Sequence, residues 1–142
     1  MAITQAVATS FKQELMQALH NFNTAGGNAF KIALYTSTAT MDTSTTVYST
    51  TNEVVGTGYT AGGNTLTNIS PVISGTTAYT DFNDTTWTTS TITARGALIY
   101  NSTNGNRATV ILDFGSDKAS SAGDFTIIFP APAAATAIIR IA

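Results

Sequence analysis

Short segments in which apolar and polar residues alternate recur along most of this chain, and no other feature constrains the fold as strongly. FKIALY at 30–35 is one example and FTIIF at 125–129 is another. A period of two places successive side chains on opposite faces of a β-strand. About eight such segments follow one another at roughly 8–12 residues, a spacing typical of β-sandwiches and jelly rolls. We therefore expect a mainly β protein, a single-domain antiparallel β-sandwich or jelly roll spanning residues 1–142.

The predicted strands lie between about residues 30 and 141. Their segments are 30–35, 46–55, 66–73, 78–82, 86–92, 95–100, 107–114, 125–129 and 138–141. The first is expected to be half-buried. Pro71 cannot donate a hydrogen bond to a ladder, so it predicts an edge strand or a bulge. The Asn-Gly pair at 104–105 predicts a hairpin turn, because both residues accept positive φ. Residues 36–46, mostly Thr and Ser, predict an exposed loop.

The composition narrows the functional classes. Charged residues make up only 10% of the chain, the net charge is −2, and 28 Thr and 11 Ser supply the polar surface. The chain contains no cluster of Lys and Arg, so its charge pattern does not indicate nucleic-acid binding. No apolar run approaches the roughly 18 residues of a membrane span. The first twenty residues do not resemble a secretory signal. The lack of cysteine excludes disulfides and thiol chemistry. A neutral, Thr-rich surface is suited to being covered by neighbours, which favours an assembling protein.

One helix is predicted, near residues 10–22. Ser10 and Gln13 have the spacing of a capping box. The apolar stripe that follows has helical spacing, and Gly26 and Gly27 end the pattern. The stripe consists of Phe11, Leu15, Ala18, Leu19 and Phe22. Such a stripe packs on the protein's own sheet or docks on another subunit, and the first interpretation is favoured.

The titratable side chains do not indicate catalysis. His20 is the only histidine, and near a helix end it is expected to have a surface or capping role. Asp81 and Asp84 could be paired carboxylates of a glycosidase, but a polar turn explains them better. The next acidic residues match no calcium-binding loop: Asp113, Asp117 and Asp124. We therefore expect no enzyme activity, no catalytic residue, no cofactor and no metal site.

Aromatic residues offer a second class of function. Tyr48, Tyr59, Tyr79 and Trp87 lie among Thr, Asn and Gly. Aromatic rings with amide and hydroxyl neighbours suit a flat sugar-binding surface. They also suit a sandwich core or a subunit interface, because Tyr and Trp bury a large area and keep one polar group. The core or interface interpretation is favoured.

Segments throughout the chain resemble the small structural proteins of tailed bacteriophages. They include MAITQ at 1–5, SFKQE at 10–14, FKIALYT at 30–36, GTGYTAGG at 56–63, ARGALIYN at 94–101, LDFG at 112–115, GDFTI at 123–127 and AIIRI at 137–141. The resemblance implies a virion component without a catalytic signature. The chain resembles capsid cement or decoration proteins in its size and low charge, and such proteins bridge neighbouring shell subunits.

The cement interpretation implies particular partners and a location. The partners would be the major capsid protein and copies of this chain, as a trimer or dimer, with no nucleic acid and no membrane. The protein would be made in the bacterial cytoplasm and would lie on the capsid surface. The alternative is a tail- or fibre-associated protein that binds host glycan through Tyr48, Tyr59 and Trp87. The candidate interface residues are Phe11, Leu15, Leu19, Phe22, Tyr48, Tyr59, Trp87, Ile138, Ile139 and Ile141.

Overall fold

The structure is a computed structural model that describes residues 2–142. It confirms a mainly β fold, a sandwich of two antiparallel sheets with one short helix. The elements are β1 (Ala6–Val7), α1 (Thr9–Met16), β2 (Phe30–Tyr35), β3 (Asn64–Thr65), β4 (Asn68–Ser74), β5 (Thr77–Phe82), β6 (Thr85–Asn101), β7 (Arg107–Ile127) and β8 (Ile139–Ile141).

The larger sheet has five strands in the order β1-β7-β6-β2-β3. Its centre is the β6–β7 hairpin, whose ladder runs from the pair Asn101 and Arg107 to the pair Thr85 and Ile127. The hairpin predicted from Asn104 and Gly105 is confirmed, but its turn spans residues 102–106. Positive φ falls on Gly105 at 68° and Asn106 at 55° rather than on Asn104. The prediction of four short strands at 86–92, 95–100, 107–114 and 125–129 was wrong. The first two segments belong to the one long strand β6, and the last two belong to β7, which ends at Ile127. Register shifts let β6 and β7 continue through segments that lack alternation.

The smaller sheet has three strands in the order β4-β5-β8. Pro71 lies in the edge strand β4, at a register shift between Ile69 and Val72, as its sequence context predicted. The strand predicted at 46–55 was wrong. That segment makes only isolated bridges, from Val47 to Arg107 and from Glu53 to Tyr35. The half-buried prediction for β2 was also wrong, since β2 is covered on both faces.

The helix is shorter than the predicted span of residues 10–22. It ends at Met16, and Ala18 then adopts φ 59°. Ala18 N donates to Leu15 O over 3.1 Å and Leu19 N donates to Glu14 O over 3.0 Å, the two bonds of a Schellman motif. The predicted capping box was wrong as well. The N-cap is Ala8 without a side-chain bond, and Ser10 Oγ is buried without a hydrogen-bond partner among the described residues.

An aromatic cluster fills the space between the two sheets. The rings of Phe22 and Phe30 stack with centroids 4.4 Å apart. Phe82 from the smaller sheet packs against both of these rings and against Phe129. Phe11 of α1 contacts Phe22 edge-on at 6.0 Å. The helix therefore packs on its own sheets, which is the interpretation that the sequence favoured.

Candidate functional site

The ten candidate interface residues lie at different depths. Four of them belong to the core of the single chain, where a partner does not reach them: Phe11, Phe22, Trp87 and Ile139. Five are half-buried: Leu15, Leu19, Tyr48, Tyr59 and Ile138. Ile141 is the exposed member, at 60%. The structure does not bring the ten together on one face that a partner could reach.

Glu53 is a buried carboxylate at the centre of a tyrosine cluster. Its side chain is covered, with the residue only 7% exposed. Oε1 accepts hydrogen bonds from the Tyr59 hydroxyl at 2.6 Å and from Gly62 N at 2.7 Å. Oε2 accepts one from the Tyr48 hydroxyl at 2.7 Å. The carboxylate thus joins three segments of irregular backbone, and nothing in its sequence context predicts this role.

Two further tyrosines complete the cluster. The Tyr100 hydroxyl donates to Gly62 O at 2.8 Å, and its ring stacks on Tyr48 with centroids 4.6 Å apart. The Tyr35 hydroxyl donates to Ser49 O at 2.6 Å. Burial raises the pKa of Tyr100 to about 12 and also raises the pKa values of Tyr35, Tyr48 and Tyr59. These side chains are therefore neutral hydrogen-bond donors at physiological pH.

This arrangement leaves no sugar-binding platform from the three aromatic residues named for the glycan alternative. Trp87 is in the core, with Tyr59 at 5.8 Å and Phe125 at 6.1 Å between ring centroids. The hydroxyls of Tyr48 and Tyr59 are directed inward to Glu53. A flat exposed face of aromatic rings, which stacking on a sugar would need, is not formed by these residues.

A second buried polar cluster contains His20, whose predicted surface or capping role was wrong. His20 Nε2 lies 3.1 Å from Glu14 Oε1, and Arg107 Nη1 donates to Glu14 Oε2 at 2.8 Å. His20 Nδ1 lies 3.0 Å from Asn101 Nδ2. The cluster connects α1, the segment after it and the turn end of the β6–β7 hairpin. The ring of Phe11 covers the imidazole at a centroid distance of 4.9 Å.

The hydrogen bonds of Asn101 fix the protonation of His20. Asn101 Oδ1 accepts from Thr103 N and Asn104 N, both at 3.1 Å, so the amide nitrogen faces the imidazole. An amide nitrogen only donates, so His20 Nδ1 accepts and Nε2 carries the proton that is donated to Glu14. Burial lowers the pKa of His20, consistent with a neutral ring. Neutral His20 is thus a structural connector within the fold.

Three of the carboxylates considered for catalysis or metal binding have partners within the chain. Asp81 lies in β5 rather than in a turn and is fully buried. Its Oδ1 accepts from Phe82 N at 2.8 Å, and burial raises its pKa. Asp84 accepts from Phe129 N at 2.8 Å, and Asp117 pairs with Arg95 at 2.8 Å. Within residues 2–142 no three His, Cys, Asp or Glu side chains are grouped to hold a metal ion.

The surface carries an open groove of about 560 Å³ beside β7. Its lining includes six large apolar residues: Leu112, Phe114, Phe125, Ile127, Phe129 and Ile138. Exposed Ile128 and the charged Asp113, Lys118 and Asp124 also line it. Protein–protein interfaces likewise combine large apolar side chains with polar and charged ones. Of the predicted contact residues, Ile138 alone lies here, so the groove was largely missed by the sequence.

No protein-family model, no curated protein and no solved structure matches the chain. The described residues also include no helix whose length and apolar character would allow it to cross a membrane.

Proposed function

We propose that the protein is a non-enzymatic virion structural protein, a capsid cement or decoration protein that bridges major capsid protein subunits. It would be made in the bacterial cytoplasm and would lie on the capsid surface, in contact with copies of itself. The phage-like segments of the sequence suggest the virion. The open groove beside β7, with its large apolar side chains, is the observation that carries the bridging role.

The groove has the features that a subunit joint requires. Its lining includes Phe125 and Phe129, which belong to the core, together with Asp113 and Lys118, which carry charges of opposite sign. Beyond its pairing with β1 at Ala6 and Val7, β7 has no further strand on its outer side. A partner segment laid in this groove would bury the apolar side chains that line it. Many weak joints of this kind add up on a closed shell.

The internal polar clusters support a scaffold rather than a reactive site. The carboxylate of Glu53 and the imidazole of His20 use their hydrogen-bonding atoms on groups of the same chain. A group held in this way fixes loops relative to sheets. Rigid loops and strand edges are what a joint between shell subunits needs.

Copy number per purified particle tests the proposal. Quantitative mass spectrometry would compare this protein with the major shell protein. Hundreds of copies in a simple ratio to the shell protein are expected. About three to a dozen copies would instead indicate a ring of low symmetry in the tail and would overturn the capsid assignment.

A pair of surface variants tests the groove itself. Ile128 is 76% exposed in the groove, and Val55 is 98% exposed away from it. Ile128→Glu is expected to reduce the number of copies retained on shells, whereas Val55→Glu retains the normal number. Equal retention of both variants would exclude the groove as the capsid contact.

A further inference from the structure

The edge strand β4 is free over its second half. Its first half is covered by the segment before β2, where Thr24 N donates to Ser70 Oγ at 2.8 Å and Thr24 Oγ1 donates to Asn68 O at 3.3 Å. Past Pro71 no strand or loop of residues 2–142 pairs with the outer side. The side chains there are apolar and exposed, with Val72 at 45% and Ile73 at 79%.

The β4–β5 hairpin determines which backbone groups face outward. Its strands are joined by the two residues Gly75 and Thr76, and Ser74 pairs with Thr77. A two-residue turn closes on a hydrogen-bonded pair, and hydrogen-bonded and non-hydrogen-bonded pairs then alternate. Ile73, one residue further, therefore directs its N–H and C=O away from β5. These two groups are available to another strand.

The β4 edge lacks the protection that the other long edges have. Natural sheets guard open edges with charges, proline or very short strands. The free edge of β7 carries Asp113, Asp117, Lys118 and Asp124, β8 carries Arg140, and β1 and β3 are two residues long. Residues 54–80, which include all of β4, contain no charged residue. Pro71 is the only guard, and it removes a single donor.

An apolar row crosses the smaller sheet and ends at this edge. Ile73 pairs with Ala78, and Ala78 pairs with Ile141, so the three side chains lie side by side on one face. The row borders an open groove of about 420 Å³ that Leu15 and Phe22 also line. Ile73 and Ile141 are among the most exposed large apolar residues of the chain. A second strand added beside β4 would extend the row.

We propose that two copies of this chain pair antiparallel through their β4 edges, about a two-fold axis at Ile73. The two Ile73 residues then exchange both N–H···O=C bonds, and Val72 of each copy faces Ser74 of the other. The two small sheets become one sheet of six strands, and the two apolar rows join into one. A second copy fits this edge for two reasons. The edge is neutral, so two identical edges meet without repulsion. The N–H and C=O of Ile73 in one copy also bond the C=O and N–H of Ile73 in the other.

Charge variants of the purified chain test this interface. Sedimentation velocity should show a dimer for the native chain. Ile73→Lys places two like charges opposite each other, and like charges directly opposite are destabilising, so the dimer dissociation constant should rise severalfold. Ile73→Glu should dissociate in the same way, while an equimolar mixture of the two variants should restore the dimer. Val55→Lys is the matched control and should stay dimeric.

Cysteine variants test the register, since the chain has no cysteine. Opposite residues of a hydrogen-bonded pair lie about 5.5 Å apart between Cα atoms, within disulfide range. Ile73→Cys should form a crosslinked dimer on oxidation, whereas Ser74→Cys, displaced from its counterpart, should crosslink poorly. A monomeric native chain, a dimer insensitive to Ile73→Lys, or equal crosslinking of both cysteine variants would overturn the proposal. These measurements use free protein, so their outcome is independent of the virion test.

Discussion

The Tyr59 hydroxyl connects the buried carboxylate to the central sheet. It donates to Glu53 Oε1 at 2.6 Å and accepts from Leu34 N at 2.9 Å. This one hydroxyl group therefore hydrogen-bonds both a backbone N–H of β2 and the carboxylate of Glu53. Both bonds would be lost if the hydroxyl were removed.

Tyr59→Phe is accordingly expected to destabilise the fold. Leu34 N–H and one carboxylate oxygen would be left without their partner, at a cost of about 1–3 kcal/mol in the free energy of unfolding. Urea titration followed by circular dichroism measures this change. Tyr79→Phe is the control, because the Tyr79 hydroxyl has no hydrogen bond within residues 2–142, and it should change stability by no more than about 0.5 kcal/mol. Equal effects of the two variants would contradict the proposed role.

Alkaline pH should unfold the protein through the tyrosine cluster. The folded pKa values of Tyr35, Tyr48, Tyr59 and Tyr100 lie above the ordinary value of 10. The folded state thus retains protons that the unfolded state releases, so stability is fully present below about pH 10 and falls as pH rises above it. Urea titrations from pH 8 to 11, with tyrosinate absorbance recorded in parallel, test this expectation. Complete ionisation near pH 10 with unchanged stability would contradict it.

Mild acid should weaken the fold through His20, with the opposite sign. Its folded pKa is lowered from 6.5 by burial, so the unfolded state binds the proton first as pH falls. The stabilisation is present above about pH 6.5 and is lost as pH falls toward the folded pKa, by at most about 1.4 kcal/mol per pH unit. His20→Gln keeps a donor for Glu14 but does not titrate. Its unfolding free energy should lack the slope just below pH 6.5, and an identical slope in both proteins would exclude His20 as the cause.

Gly26 and Gly63 have the same φ but different surroundings, so alanine substitutions at the two positions distinguish backbone strain from a steric clash. Gly63 and Gly26 both have φ 74°, but a Cβ on Gly63 would lie 1.7 Å from Ile32 O, whereas a Cβ on Gly26 meets nothing within 4 Å. Gly26→Ala should cost about 1–2 kcal/mol through the left-handed backbone alone. Gly63→Ala should cost much more, because β2 must move. Thermal unfolding compares them, and equal shifts would show that the contact with β2 is not rigid.

Elements of the fold that depend on a local sequence pattern could be predicted from the sequence. The alternation over 30–35 gave β2 with its observed ends, and the Asn-Gly turn gave the β6–β7 hairpin. The helix end was missed because Ala18 takes the left-handed position that glycine usually occupies. A signal did exist for the segment after it. His20 and Phe22 are buried while Asn21 and Asn23 are exposed, a period of two that is extended rather than helical.

The buried polar clusters form outside the segments that show a regular period. Glu53 and its partners Tyr48 and Tyr59 lie in the irregular backbone between β2 and β3, and His20 meets Asn101, which is 81 residues away along the chain. Periodicity describes one element at a time, so it cannot report such convergence. The same limit explains why Trp87 could be assigned to a sugar-binding face. Its neighbours in sequence are polar, but its neighbours in space are Tyr59 and Phe125.

The β6–β7 hairpin also implies an order in which the elements fold. Its turn spans residues 102–106, so its first pairs form between near neighbours and the ladder can then zip outward. β1 joins the same strand at Ile111 from the far end of the chain, and closing so long a loop has a larger entropic cost. We expect the hairpin to be formed at the folding barrier and β1 to dock after it. Substitutions near the turn would then slow folding, whereas substitutions in β1 would mainly accelerate unfolding.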